Sequence, residues 1–158
     1  IGKRAVMDSA QNSFISSTYW TERIGPSAAL AAIKEYRRRD VPRIVGETGS
    51  AVHRIWKSAA EKAGLALAVE GPPALSHFSF TCDNAAALGT LLTQELLKQG
   101  ILGNTAFYTS AGHDEKALQN YEAAVNTVFP ILKRALDEDR VGASLEGPVA
   151  HKGITRLT

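Results

Sequence analysis

The chain has 158 residues, enough to bury one sizeable core, since compact domains usually hold roughly 100 to 150 residues. Hydrophobic residues at 44% and charged residues at 22% exclude a largely disordered chain. A net charge of +2, from 18 basic and 16 acidic residues, gives no field that would gather nucleic acid or an anionic membrane.

The N-terminus, "IGKRAVMDSA", lacks the charged, apolar and small-residue order of a signal peptide and reads as the interior of a longer chain. The polar stretch "FISSTYWTERIGP", Phe14 to Pro26, comes next as a loop. Gly25-Pro26 then opens a helix in which Ala28, Ala29, Leu30, Ala31, Ala32 and Ile33 favour tight packing. The run Arg37, Arg38, Arg39 ends it where cations suit the helix dipole.

From Pro42 a second helical pattern carries Val45, Val52, Ile55, Trp56, Ala59 and Ala63 on one face. Gly46 and Gly49 weaken its first turns, and Gly64 occupies the left-handed capping position. The periodicity then changes: "LALAVE" (65–70) and "HFSFTC" (77–82) read as an antiparallel strand pair joined by the Pro-rich turn "GPPAL". Phe78 and Phe80 share one strand face.

Asp83 is the expected N-cap of a helix with Leu88, Leu91, Leu92 and Leu96 at helical spacing, stopped by Gly100. "TAFYTS" (105–110) is a third strand. Asp114 caps a long helix whose stripe is Leu118, Tyr121, Val125, Val128, Leu132 and Leu136, with a kink expected near Asn126 because of Pro130. The tail from Asp137 to Thr158 lacks periodicity, and Val149, Ile154 and Leu157 are its docking candidates. The fold class is therefore α+β, a small antiparallel sheet covered on one face by helices.

Cys82 is unable to form an internal disulfide, has no zinc partners and reads as a small core residue, and no run approaches the roughly 18 apolar residues that span a bilayer. A reducing, cytoplasmic setting with no membrane partner is the expectation. His53, His77, His113 and His151 show no metal spacing. His113, in "SAGHDE", reads as a loop residue bonding the first turn of the following helix, with a hydrolase role as a distant rival. "GETGS" (46–50) lacks the lysine and spacing of a nucleotide loop.

Ser16, Ser17, Thr18 and Thr21 cluster just before a helix start, where backbone N–H groups and hydroxyls suit an oxyanion or phosphate. Spacing alone leaves this open against a plain capping and turn segment.

The segment "GKRAVMDSAQNSFISSTYWTERIGPSAALAAIKEY", with "LLTQELLKQGILGNTAFYTSAGHDEKALQNYEAAVNTVF" and the closing "GPVAHKGITRLT", resembles the C-terminal portion of class III pyridoxal-phosphate aminotransferases, especially those similar to glutamate-1-semialdehyde aminomutase. The resemblance covers essentially the whole chain. It implies that residues 1–25 close the large cofactor domain and residues 26–158 form the C-terminal small domain of a fold type I transferase.

It further implies a homodimer in which Thr18, with Ser17 beside it, bonds the phosphate of the cofactor held by the neighbouring subunit. The family commonly has a shorter "T-x-S-G-N-P" form, so the longer "TYWTERIGP" leaves Thr21 as a competing candidate. The Schiff-base lysine would lie upstream, and Lys3 matches a surface position after it. The isolated chain is therefore expected to be inactive, or to stand alone as a dimerisation module derived from that fold. Relatives acting on ω-amino acids use a C-terminal arginine for the substrate carboxylate. None occurs in "NTAFYTSAGHDE", so an amino dicarboxylate substrate is not implied.

Overall fold

The computed structural model describes residues 3–10, 12–13 and 22–151. It divides into two units, one ending at Asp40 and one beginning at Val41. The first contains a short helix α1 (Arg4–Ala10) and helix α2 (Ile24–Arg38). The second contains α3 (Val41–Ala63), β1 (Leu67–Glu70), β2 (Leu75–Phe80), α4 (Ala85–Lys98), β3 (Ala106–Tyr108) and α5 (Glu115–Asp137), then a single 3-10 turn at Gly142–Ser144.

The three strands form one antiparallel sheet in the order β1-β2-β3. Register is set by alternation along β2: Ser76, Phe78 and Phe80 are buried, while Leu75, His77 and Ser79 face outward. Phe78 pairs with Val69, Phe80 with Leu67 and Ser76 with Phe107, so these residues make the core face. Within the second unit, helices α3, α4 and α5 cover that face, and among the described residues none of its helices covers the other, giving the α+β arrangement read from the sequence.

The core is built as the stripes predicted. Trp56 and Val52 of α3, Leu88, Leu91, Leu92 and Leu96 of α4, and Val125, Val128 and Leu132 of α5 are nearly inaccessible, as is Phe129, which the predicted stripe did not include. Phe78 lies at its centre with ring contacts to Trp56 (4.9 Å), Phe80 (5.3 Å) and Phe129 (6.0 Å). Cys82 is half-buried against this cluster.

Some local readings change. The strands run 67–70, 75–80 and 106–108 rather than 65–70, 77–82 and 105–110; β2 starts at Leu75 because Pro72 O accepts its N–H at 2.8 Å and closes the turn there. Asn84, not Asp83, is the N-cap of α4, without a side-chain cap bond. Asp114 does cap α5, its Oδ1 accepting from Ala117 N at 2.8 Å. Helix α5 is continuous through Pro130.

Gly49 corrects the reading of "GETGS" as merely a weak helix start. Helix α3 runs unbroken through it, and the residue is buried because the backbone of Pro73 passes over it: an added Cβ would lie 1.7 Å from Pro73 O. Gly64 has φ +71°, the left-handed cap predicted for it.

The tail docks along α4, by polar clamps more than by the side chains proposed. Gln94 donates to Ser144 O at 3.0 Å and accepts from Glu146 N at 2.8 Å, and Thr90 Oγ1 accepts from Ala150 N at 3.0 Å. Val141 is buried and Leu145 packs partly against the core, whereas Val149 is exposed; Ile154 and Leu157 lie outside the described residues.

Candidate functional site

The hydroxyl cluster that the sequence singles out, Ser16, Ser17, Thr18 and Thr21, lies outside the described residues. The residues immediately downstream are placed. Glu22 folds its carboxylate onto the start of α2, accepting from Ile24 N and Gly25 N at 2.9 Å each. Two of the unpaired N–H donors at this terminus are thereby filled by the chain's own anion, which also suits the dipole. A phosphate meeting this segment would rely on the hydroxyls upstream or displace Glu22.

The second candidate, His113, closes a compact corner between β3 and α5. Its Nδ1 accepts from Ser110 N at 3.1 Å, so the bond goes to the turn before the helix rather than to the helix's first turn. Ser110 Oγ in turn accepts from Gly112 N at 3.2 Å. The His113 ring packs on Phe107 at 4.7 Å, Phe107 on Tyr121 at 5.1 Å, and Trp56 Nε1 donates to Tyr121 OH at 2.8 Å. Burial pushes the Tyr121 phenol up to about 12, against the lowering effect of that bond.

Ser110 Oγ and His113 Nδ1 are 3.5 Å apart, which resembles a nucleophile and base but does not function as one. The nitrogen is already engaged by a backbone N–H, and a serine is activated only when the base can take its proton. The hydrolase reading loses its geometry here.

The third feature is the uncovered sheet face. Ala68 pairs with Ser79, His77 with Ala106, and Leu75 with Tyr108, so small side chains floor its middle and Leu75 and Tyr108 stand at one end. His77 Nε2 lies 3.4 Å from Glu70 across the strands. Sequence reading found the alternation in β2 but not this face, because it arises from the register between strands.

No group of three or more His, Cys, Asp or Glu side chains converges as a metal site among the described residues. Every described lysine is exposed or half-buried on a helix surface or in the N-terminal segment, away from the dry pocket that a Schiff-base amine requires.

A three-stranded antiparallel sheet backed on one face by helices defines the second unit as an α+β domain. The chain superposes on the internal-aldimine form of the FumI protein of Sphingopyxis sp. MTA144 with a TM-score of 0.78 at 19% identity, over 87% of this chain and 34% of that one. It is 26% identical to the 2'-deamino-2'-hydroxyneamine transaminase of Streptomyces kanamyceticus, over 79% of this chain and 33% of that enzyme. The chain thus spans about a third of the length of each protein it matches. No family model matches it.

Proposed function

We propose that this chain is the C-terminal portion of a class III pyridoxal-phosphate aminotransferase or aminomutase similar to glutamate-1-semialdehyde aminomutase. The observation that carries the reading is the likeness of fold over 87% of the chain to a pyridoxal-phosphate protein, together with the sequence likeness to a transaminase. The reaction class is amino transfer to, or within, a small aldehyde or ketone. The neamine-derived substrate in the name of the Streptomyces relative makes a sugar-derived carbonyl compound one member of that class.

In this reading the cofactor supplies the electron sink for the amino-group chemistry, and its lysine comes from outside these residues. The chain's own residues bind and orient. Thr18 donates its hydroxyl to a phosphate oxygen of the cofactor in the neighbouring subunit, with Ser17 beside it and Thr21 as the competing position. The open sheet face, floored by Ala68, Ser79 and Ala106, forms one wall of the substrate cleft and excludes water from it. The stripe Leu30, Ile33 and Tyr36 on α2, all exposed, is buried in the homodimer or against the large domain. A reducing compartment, the cytoplasm, suits the lone half-buried Cys82.

The test is made on the native gene product. Visible absorbance of bound cofactor, lost on borohydride reduction followed by peptide mapping to a lysine outside this segment, is the expected result. A native product of this length with no cofactor refutes it. In the cofactor-bearing protein Thr18→Val should weaken cofactor retention, since a hydrogen bond to a charged group contributes roughly 1.5 to 3 kcal/mol. Unchanged retention moves the role to Thr21 or removes it.

The exposed stripe on α2 also favours a second reading, a non-catalytic dimerisation module derived from the same fold. Sedimentation discriminates: a discrete dimer of the isolated chain favours the module, and open-ended aggregation favours the enzyme portion.

A further inference from the structure

We propose that the cleft beside β3 is a binding site for a small, uncharged aromatic molecule carrying a carbonyl or amide acceptor. The cleft lies between β3, the Ile101–Gly103 loop and the first turns of α5, and holds about 430 Å³, within the range of small-molecule sites. It stays open because Gly103, Ala106 and Ala117 line it where larger side chains would fill it.

Its chemistry selects the occupant. Phe107, His113 and Tyr121 present a contiguous set of rings, with centroids 4.7 and 5.1 Å apart, and aromatic faces prefer an aromatic guest in offset or edge contact. Among the described residues no Lys, Arg, Asp or Glu lines the cleft, so a charged ligand would lose its hydration without a countercharge. Because Ser110 N–H occupies Nδ1 of His113, the neutral ring carries its proton on Nε2, leaving one donor for an acceptor on the ligand. Leu102 and Tyr108 at the rim are 88% and 73% exposed, apolar surface that a bound ring would cover.

Trp56 is a built-in reporter, since its indole N–H bonds the hydroxyl of Tyr121, which lines the cleft. Benzamide is titrated into the native gene product, ¹⁵N-labelled at Trp, Ala and Leu, and monitored by ¹H–¹⁵N spectra, with the Trp56 indole signal assigned by its loss in Trp56→Phe. A saturable shift of that signal and of the Ala117 and Leu118 amides is expected. Ala117→Leu, which fills the cleft, should weaken binding at least tenfold with the spectrum otherwise preserved. His113→Phe, which keeps a ring and removes the donor, should weaken it several-fold, and this variant decides the matter if Ala117→Leu fails to fold. No saturation at millimolar benzamide, an unchanged affinity in folded Ala117→Leu, or an unchanged affinity in His113→Phe overturns the proposal. So does a concentration-dependent shift of the same signals without benzamide, which would assign the cleft to a second copy of the chain.

Discussion

Gly49→Ala and Gly46→Ala lie one turn apart on α3 and should move stability in opposite directions. Helix propensity alone predicts that both are stabilising by roughly 0.5 to 1 kcal/mol, because glycine loses the most backbone entropy in a helix. At Gly46 no atom lies within 4 Å of an added Cβ, so that gain should be realised. At Gly49 the added carbon would be 1.7 Å from Pro73 O and 2.3 Å from Pro73 C, whereas real Cβ atoms essentially never come within 3.0 Å of a neighbour. Helix and turn must therefore separate by more than about 1 Å, a distance at which packing contacts lose much of their attraction.

The turn resists because Pro73 O is held from two sides, accepting from Ser76 Oγ at 2.9 Å and from Thr109 Oγ1 at 3.1 Å. Displacing it strains two hydrogen bonds of about 1 kcal/mol each and leaves the inaccessible Ser76 hydroxyl without its acceptor. Overpacking a filled site adds about 1 to 3 kcal/mol. Against the propensity gain, Gly49→Ala should be destabilising by about 2 to 4 kcal/mol. Urea unfolding monitored by far-ultraviolet circular dichroism, at matched m-values, measures both variants. A Gly49→Ala chain as stable as the parent, or more so, would refute the close approach of turn and helix.

Other outcomes rest on single contacts. Tyr121→Phe removes the acceptor of the buried Trp56 N–H and should cost about 1 to 3 kcal/mol, read by urea titration; a change under about 0.5 kcal/mol would mean the indole finds another partner. Burial, and secondarily Lys57, holds the His53 imidazole below its ordinary value of 6.5, and its Nε2 is buried without a partner. The unfolded chain then binds the proton first, so stability is full above pH 6.5 and is lost as pH falls through the lower folded value. His53→Phe should flatten that part of a stability-versus-pH curve, and an unchanged slope would contradict it. Gln94→Ala removes its two hydrogen bonds to the tail and should accelerate cleavage by trypsin at Arg140 while costing about 1 to 2 kcal/mol; unchanged protection would mean that Val141, Leu145, the Thr90–Ala150 bond and the Lys98–Glu146 pair suffice to hold the tail.

The parts of the fold that were legible are those encoded by short-range patterns. The Leu88–Leu96 stripe, the Phe78 and Phe80 alternation, the Asp114 cap and the Gly64 stop each depend on residues within a turn or two of one another. What was missed depends on distant partners. Gly49 looked like a weak spot because its reason, Pro73, belongs to a turn that reaches it only after β1 has crossed back. The tail looked aperiodic because its attachments are backbone groups meeting Gln94 and Thr90, which leave no mark in the tail's own side chains. At the candidate site, the spacing that drew attention to Thr18 is equally suited to capping. Glu22, which fills the start of α2, went unread because its reach to the two N–H groups depends on the local fold of the loop.

Helix α2 bears most directly on what this chain belongs to. It is 15 residues long with none buried, and isolated helices of about 12 to 15 residues are marginal in water even when rich in alanine. Its local supports are modest: the Glu22 carboxylate at the start, and an exposed Glu35–Arg38 pair near the end, which solvent screening leaves weak. Propensity and caps thus bring the segment only near the balance point. Leu30, Ile33 and Tyr36 recur at helical spacing on one side, and burying a stripe of that kind is what makes an amphipathic helix stable. The two proposed readings of the chain would cover such a helix in different ways: with a large cofactor domain and its dimer partner in one, with a second copy of the same module in the other.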